Sequence, residues 1–336
     1  MTDINNQIVL NSRPEGWVTQ DNFKLVEGQI PDIGEGEILV RNLYMSVDPY
    51  MRARMNDAKS YVPPFQIDQV LQAGVVGEVV QSQNPKFKEG DVVVGMLGWE
   101  NYSKSDGAGL VTVERGLVPL SYYLGVLGMP GMTAYAGLVD VANLQAGETV
   151  FVSAASGAVG SVVGQIAKIM GCEVVGCAGS DDKVDFLVNE LGFDRAFNYK
   201  TCGSIAKKIA ELCPKGIDVN FENVGGEIME AALWNMRDFG RIALCGMISN
   251  YNDKDMAPGP RGMGIIIQRR IKMQGFIVFD NPARNMEFVQ KAVGWLKEGK
   301  LKYRETVTEG LEKAPAAFIG MLKGENFGKQ IVKIAD

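Results

Sequence analysis

Small residues recur at every third position between two apolar segments, at Ala154, Gly157 and Gly160. The segment before them, Val150 to Ala154, is rich in β-branched residues, as in a buried parallel strand. The segment after them, Val159 to Met170, has apolar residues at helical spacing. Strand, tight turn and helix in this order predict the start of a dinucleotide-binding βαβ unit, whose first free helix N–H groups face a pyrophosphate. The alternative is a helix and a strand that only pack closely.

The end of the next predicted strand indicates which dinucleotide binds. NAD-binding units carry an Asp or Glu there, about 20 residues beyond the glycine turn, to hold the ribose diol. Here Ala178, Gly179 and Ser180 stand in that region, and Lys183 follows. A charge-assisted hydrogen bond to a 2′-phosphate is worth roughly 1.5–3 kcal/mol, or about 10- to 150-fold in affinity. Lys183, with Ser180 and Tyr199 as further donors, predicts NADPH as the cofactor. The alternative is that Lys183 is an ordinary solvated helix residue, and Asp181 and Asp182 beside it favour that alternative.

The chain has no histidine, which excludes several kinds of chemistry. A Ser-His-Asp or Cys-His nucleophile is impossible, and so is any histidine-ligated zinc or iron site. The five cysteines include no CxxC pair, so we expect no metal site of cysteines alone. Catalysis must therefore come from carboxylates, Lys, Tyr, Ser or a cofactor.

Composition limits the class of protein further. A chain of 336 residues with 46% hydrophobic and 22% charged residues is long and apolar enough for two domains with full cores. The net charge of −6 has no basic block within it, so we expect no nucleic-acid partner. No signal peptide or membrane-spanning run is evident, which predicts no membrane partner and a cytoplasmic protein without disulfides.

The pattern of predicted elements changes near residue 120. Before it, short strands with Gly and Pro between them predict a β-rich domain. After it, helices and strands alternate, which predicts a doubly wound parallel sheet and an α/β fold class. We predict helices at 121–127 and 133–141, separated by a break at 128–131, and a last strand of this sheet at 271–278. The loop 248–264 is predicted as a lid or binding loop, with disorder as the alternative.

Nine motifs in order give a resemblance that covers nearly the whole chain. They are DPYMR (Asp48–Arg52), LGMPGMTAY (Leu127–Tyr135), AASGAVG (Ala154–Gly160), AGSDDK (Ala178–Lys183), FNYK (Phe197–Lys200), FENVGG (Phe221–Gly226), CGMISNYN (Cys245–Asn252), QGFIV (Gln274–Val278) and GENFGK (Gly324–Lys329). With them the chain resembles the zinc-independent medium-chain dehydrogenases/reductases of the leukotriene/prostaglandin reductase type. That family includes bacterial curcumin reductases and plant double-bond reductases, and the lack of histidine agrees with its zinc-free chemistry.

The resemblance implies a GroES-like substrate domain, 1–120 with 300–336, and a Rossmann NADPH-binding domain, 121–299. It also implies a homodimer and NADPH-dependent reduction of the C=C bond of α,β-unsaturated ketones and aldehydes. The cofactor contacts of the family fall on Gly157, Ala158, Val159, Lys183, Tyr199, Asn223, Cys245, Ser249, Phe276, Val278 and Asn326. Gly160, Ser180, Gly246 and Tyr251 complete the predicted cofactor site.

Reduction of an enone needs a donor for the enolate oxygen that forms when hydride reaches the β-carbon. Without metal or histidine, a tyrosine hydroxyl suits this role, because it stays protonated at neutral pH. Tyr251 matches the tyrosine that the family uses, and a ribose hydroxyl of the nicotinamide half could share the role. The alternative is that Tyr251 only shapes the pocket and water protonates the α-carbon.

Two further residues are predicted to bind substrate. Tyr50 follows Asp48 in the DPYMR loop and is placed on the opposite wall; alternatively it packs beneath the loop. Met132 belongs to a set of methionines that would form an adaptable apolar wall, although most methionines fill cores. The remaining alternatives are a quinone reductase with the same cofactor, a zinc-free alcohol dehydrogenase, which is disfavoured, and an NADPH-binding redox sensor or structural protein without turnover.

Overall fold

The computed structural model describes residues 4–255 and 258–336. The strands are β1 (Ile4–Leu10), β2 (Phe23–Gln29), β3 (Ile38–Ser46), β4 (Gln72–Ser82), β5 (Val92–Gly98), β6 (Tyr102–Ser105), β7 (Val111–Val113), β8 (Thr149–Val152), β9 (Glu173–Ala178), β10 (Arg195–Asn198), β11 (Ile217–Glu222), β12 (Met236–Leu244), β13 (Lys272–Gly275), β14 (Glu305–Glu309) and β15 (Lys329–Lys333). The helices are α1 (Met51–Arg54), α2 (Met129–Ala136), α3 (Gly160–Ile169), α4 (Asp181–Asp185), α5 (Ile205–Leu212), α6 (Gly226–Trp234), α7 (Gly264–Gln268), α8 (Ala283–Lys297) and α9 (Ala314–Leu322).

The chain divides into two compact units. The first contains residues 4–125, Glu305–Asn326 and Gln330–Asp336; the second contains Val126–Arg304 and Phe327–Lys329. The predicted domain limits, 1–120 with 300–336 for one domain and 121–299 for the other, remain predictions. The division into units differs from them in assigning Phe327–Lys329 to the second unit. The α/β fold class, with one β-rich part and one doubly wound parallel sheet, is confirmed.

The first unit is built on antiparallel strands. Its larger sheet has the order β14-β15-β3-β4-β5-β7, with β6 also paired to β3, and β1 pairs with β2 in a smaller sheet. Rings fill part of its core: Phe23 stacks on Trp99 at 6.1 Å, and Phe318 of α9 meets Trp99 edge-on at 6.2 Å. Burial of these large rings holds the C-terminal helix against the N-terminal sheets.

The second unit is a parallel sheet with the order β10-β9-β8-β11-β12-β13. Counted from β8, this is the strand order 3-2-1-4-5-6 of dinucleotide-binding folds, and the order reverses between β8 and β11. Both neighbours of β8 run parallel to it. Every residue of β8 is buried, which explains its continuous apolar sequence.

Three predicted limits of helices and strands are wrong. The predicted break at 128–131 is the start of α2, because Gly128 precedes the helix and Pro130 occupies its first turn, where no N–H is needed. The predicted helix 121–127 is a 3₁₀ turn at Leu120–Leu124. The last strand of the parallel sheet is limited to Lys272–Gly275. Within the predicted loop 248–264, residues 256 and 257 lie outside the described residues.

In the described part of the chain, no helix is both long and apolar enough to cross a membrane.

Candidate cofactor and active site

The glycine turn lies between β8 and α3. Ala154 has a positive φ of 47°, which lets the chain reverse after the strand. A Cβ on Gly160 would lie 2.4 Å from the Ala154 carbonyl oxygen, so this glycine is required for close packing of helix against strand. A Cβ on Gly157 would meet only that same oxygen, at 3.2 Å. The packing interpretation therefore holds for Gly160, whereas Gly157 leaves open space beside the backbone.

The start of α3 offers backbone donors. Gly157 N–H and Ser161 N–H donate within the turn, to Ala154 O and Gly157 O. In residues 4–255 and 258–336, neither the Ala158 nor the Val159 N–H donates to a protein acceptor. Two unused N–H groups at the N-terminus of a ten-residue helix, beside open space, fit the pyrophosphate of a dinucleotide.

A buried carboxyl group joins the two strands at which the sheet order reverses. Glu222 Oε1 at the end of β11 accepts from the Ser153 hydroxyl at 2.8 Å. The same oxygen accepts from Val224 N–H at 2.8 Å and Gly225 N–H at 2.9 Å. Asn223 in turn donates to Ser153 from its amide N–H and from its side chain, each at 2.8 Å. These bonds fix the backbone on both sides of the crevice in which such folds bind their ligand.

Several hydrogen-bond donors lie near the end of β9, and Asp181 and Asp182 begin the helix that follows it. Ser180 precedes α4, and its hydroxyl makes no capping bond to that helix. A Cβ on Gly179 would lie 3.2 Å from Tyr199 Oη and 3.5 Å from Lys200 Nζ, which places both groups beside the end of the strand. Burial and then the nearby Lys200 lower the pKa of Lys183. Two amines and a phenol at this position fit a 2′-phosphate, whereas a ribose diol alone would call for a carboxylate.

The segment after β12 returns to the same crevice. The Cys245 and Gly246 N–H groups donate to the Glu222 carbonyl oxygen at 2.9 and 3.1 Å. The Met247 N–H donates to Tyr251 Oη at 3.3 Å. This bond helps to position the Tyr251 side chain. Ser249 Oγ donates to the Val224 carbonyl at 2.6 Å.

The parallel-sheet unit also holds three other predicted residues. Phe276 packs edge-on against Phe221 at 6.2 Å, Val278 is buried, and Met132 lies in α2. Burial raises the pKa of the Cys245 thiol to about 12, with a further contribution from Glu222, so this cysteine is not a thiolate nucleophile at neutral pH.

The structure places Tyr50 and Asn326 in the unit of antiparallel strands. Tyr50 directly precedes α1. Burial, followed by the charge of Asp48, raises the pKa of Tyr50, so its hydroxyl keeps its proton at any physiological pH.

Sequence reasoning missed Ser153 and Glu222. A signal is present in the FENVGG motif, where an acidic residue ends a buried strand. Nothing in the sequence pairs Glu222 with Ser153, because their contact depends on the neighbouring positions of β8 and β11.

The strand order and the glycine turn between β8 and α3 are those of a dinucleotide-binding protein. Two protein-family profiles match the chain: "N-terminal domain of oxidoreductase" at residues 6–113 and "Zinc-binding dehydrogenase" at residues 158–298. NADPH-dependent curcumin reductase of Escherichia coli is 44% identical over 98% of this chain and 97% of its own. Prostaglandin reductase 1 of Rattus norvegicus is 47% identical over 95% of this chain and 96% of its own.

A solved structure gives the same result. CurA from Vibrio vulnificus in complex with NADPH matches with a TM-score of 0.94 and 45% identity, over 98% of this chain and 99% of that chain. The chain therefore belongs to the medium-chain dehydrogenase/reductase family that contains the curcumin and prostaglandin reductases. The zinc named in the second profile has no histidine to bind here. Among the described residues, no three His, Cys, Asp or Glu side chains form a group that could hold a metal.

Proposed function

We propose that this protein catalyses NADPH-dependent reduction of the C=C bond of α,β-unsaturated ketones and aldehydes, including curcumin-type enones. The observation that carries the proposal is similarity along the whole chain to the NADPH-dependent curcumin reductase of Escherichia coli. The donor set at the glycine turn and at the end of β9 supports the same cofactor.

The cofactor would be held by backbone and side-chain donors of the parallel-sheet unit. The N–H groups of Ala158 and Val159 face its pyrophosphate, and Lys183, Tyr199 and Ser180 bind its 2′-phosphate. Gly157, Gly160, Asn223, Cys245, Gly246, Ser249, Phe276, Val278 and Asn326 are the other proposed cofactor contacts. When bound, NADPH supplies the hydride that reaches the β-carbon of the enone.

Tyr251 would stabilise the enolate. Its oxygen accepts from the Met247 N–H, which helps to hold the phenol in place. A donor that is in place before charge develops lowers the barrier more than one that must reorient. Tyr50 and Met132 are proposed substrate contacts, Tyr50 through a hydroxyl that stays protonated.

The test is NADPH consumption with benzylideneacetone, run beside NADH and beside a simple quinone, with identification of the product. Rapid oxidation of NADPH that yields the saturated ketone is the expected result. Turnover with the quinone alone would identify a quinone reductase. Binding of NADPH without turnover of either substrate would identify a redox sensor or structural protein instead.

We further propose a cytoplasmic homodimer that does not bind nucleic acid. Exposed apolar side chains beside α6 and α7 support the dimer: Trp234 is 53%, Met263 49% and Ile267 81% exposed. Sedimentation of the wild type and of Ile267→Glu tests the dimer, and a monomeric wild type would contradict it.

The compartment and the absence of a nucleic-acid partner rest on other observations. The five cysteines are all free thiols, which suits a reducing compartment, and the charge of −6 opposes binding to a polyanion.

A further inference from the structure

Two cations lie on one aromatic ring near the glycine turn. The guanidinium carbon of Arg304 is 3.9 Å from the centre of the Phe327 ring, and Lys183 Nζ is 5.9 Å from it. The buried ring of Phe186 meets Phe327 edge-on at 4.9 Å and fixes its orientation. The face of a fixed ring holds a guanidinium flat and reduces the rotamer freedom that binding would otherwise cost.

The backbone ties this pair to the glycine turn. Gly328 N–H donates to Ser156 O at 3.1 Å, and Gly328 forms a β-bridge with Gly157. Lys329 N–H donates to Arg304 O at 3.0 Å. Gly328 has a φ of 67°, and a Cβ there would lie 2.0 Å from the Arg304 carbonyl oxygen. Arg304 is therefore held beside the turn by contacts that only glycine at position 328 allows.

Two other arginines also lie on phenylalanine rings. The Arg54 guanidinium lies 4.0 Å from the centre of the Phe65 ring and donates to Pro63 O and Gln72 Oε1. The Arg270 guanidinium lies 4.5 Å from the centre of the Phe239 ring, and it also forms an ion pair with Asp238. Within residues 4–255 and 258–336, no ion pair includes Arg304. Of the three arginines, Arg270 is paired with a carboxylate and Arg54 donates to neutral oxygens, whereas Arg304 has no ion pair among the described residues.

Arg304 adds a third cation to Lys183 and Lys200 near the end of β9. Lys200 likewise belongs to no ion pair in the described part of the chain, and it lowers the pKa of Lys183. The carboxylates of Asp181, Asp182 and Asp185 lie on α4, and Asp181 accepts from Asn198 at 2.8 Å. Cations that gather at one place repel one another, and an anion bound between them reduces that repulsion.

We propose that Arg304 is a further residue that binds the 2′-phosphate of NADPH, and that Phe327 positions it. Arg304 is thus a specificity-determining residue for the cofactor. Its planar donors suit two phosphate oxygens at once, whereas Lys183 and Lys200 act as point charges. The inference rests on NADPH as the proposed cofactor. It adds a phosphate-binding residue, Arg304, that lies outside the nine motifs.

The test is equilibrium binding of NADPH, NADH, 2′,5′-ADP and 5′-AMP to the wild type, Arg304→Met, Arg304→Lys and Phe327→Leu. Arg304→Met keeps much of the apolar part of the side chain and removes the charge. Arg304→Lys keeps the charge but lacks the planar set of guanidinium N–H donors. Arg270→Met is the matched control, because it removes an arginine from the ring of Phe239. We expect Arg304→Met to weaken NADPH and 2′,5′-ADP about 10- to 100-fold and to leave NADH and 5′-AMP within twofold. Arg304→Lys should recover part of the loss, and Phe327→Leu should show a smaller loss of the same kind.

Three outcomes would overturn the inference. Equal weakening of NADPH and NADH by Arg304→Met would assign Arg304 to the fold alone, and unchanged binding of all four ligands would remove it from the site. A wild type that binds 2′,5′-ADP no better than 5′-AMP would contradict both the inference and the NADPH assignment. In the first two cases the wild type still prefers NADPH, so the proposed function survives the failure of the inference.

Discussion

The Ser153 hydroxyl donates a 2.8 Å hydrogen bond to the buried Glu222 carboxyl group, and this pair connects the ends of β8 and β11. Glu222 is fully buried, and its Oε1 accepts from two backbone N–H groups as well. The Asn220 side chain donates to Oε2 at 3.1 Å. The shape of the crevice where a dinucleotide would bind thus depends on one acidic side chain that makes no contact with solvent.

Removal of the Glu222 side chain should destabilise the protein strongly. Glu222→Ala leaves buried donors of Ser153, Val224 and Gly225 without an acceptor, at about 1–3 kcal/mol each. We expect Glu222→Ala to lose about 3 kcal/mol or more of unfolding free energy in urea titrations. Glu222→Gln keeps an acceptor oxygen of similar shape and should lose about 1 kcal/mol or less. Equal losses in the two variants would contradict the role given to this oxygen.

The ionisation of Glu222 predicts a pH dependence of stability. Burial raises the pKa of Glu222 above its ordinary value near 4.5, so the folded state favours the protonated acid. The resulting stabilisation is complete below the unfolded pKa and is lost as pH rises through the folded pKa. The difference in unfolding free energy between wild type and Glu222→Gln should therefore shift against the wild type as pH rises above about 4.5. A difference that is constant with pH would show that Glu222 has the same pKa in both states.

If Tyr251 donates to the enolate, its substitution should lower the turnover rate and leave the affinity for NADPH nearly unchanged. Tyr251→Phe removes the hydroxyl that accepts from the Met247 N–H and would donate to the enolate. Loss of one such donor typically lowers kcat about 100-fold or more. We expect that loss with benzylideneacetone and an NADPH dissociation constant within about threefold of the wild type. An unchanged kcat would assign protonation to water and leave Tyr251 only a shaping role.

The two glycines of the turn should respond differently to alanine. Gly160→Ala places a Cβ 2.4 Å from a backbone oxygen, and such overpacking costs about 1–3 kcal/mol. Gly157→Ala meets only one atom, at 3.2 Å, so its stability should change by less than about 1 kcal/mol. Its methyl group would instead occupy the space proposed for the pyrophosphate and weaken NADPH binding. Thermal unfolding and NADPH titration of both variants distinguish these effects, and loss of stability in Gly157→Ala without loss of binding would contradict the assignment.

Lys183 should contribute to cofactor preference in the same direction as Arg304. Lys183→Met removes a half-buried amine and should lower NADPH affinity about 10- to 100-fold, with little effect on NADH. Lys168→Met is a control on the same unit, because Lys168 pairs with Asp194 at 2.8 Å instead. A loss of equal size for NADPH and NADH in Lys183→Met would argue against a phosphate contact.

The sequence predicted those features that depend on local patterns. The small residues at 154, 157 and 160 predicted strand, turn and helix, and the absence of an acid at positions 178–180 predicted the cofactor. The nine motifs predicted the family. The start of α2 was missed because Gly128 and Pro130 break helices in their interior but are tolerated at their first turn.

Contacts between distant segments were beyond sequence reasoning. Ser153 meets Glu222, and Arg304 meets Phe327, only because the fold brings their elements together. The packing role of Gly160 likewise required the position of the Ala154 carbonyl oxygen. A pattern of residue types fixes which face of an element is apolar, but not which side chain from elsewhere lies on it.

The hydrogen bond from Gly328 to Ser156 has a consequence for biosynthesis. The ribosome delivers the glycine turn long before it delivers Gly328, so a nascent chain can form the parallel sheet while one edge of the nucleotide crevice is still missing. Because a ligand stabilises only the state that binds it, bound NADPH would stabilise a chain that includes residue 328 more than a shorter one.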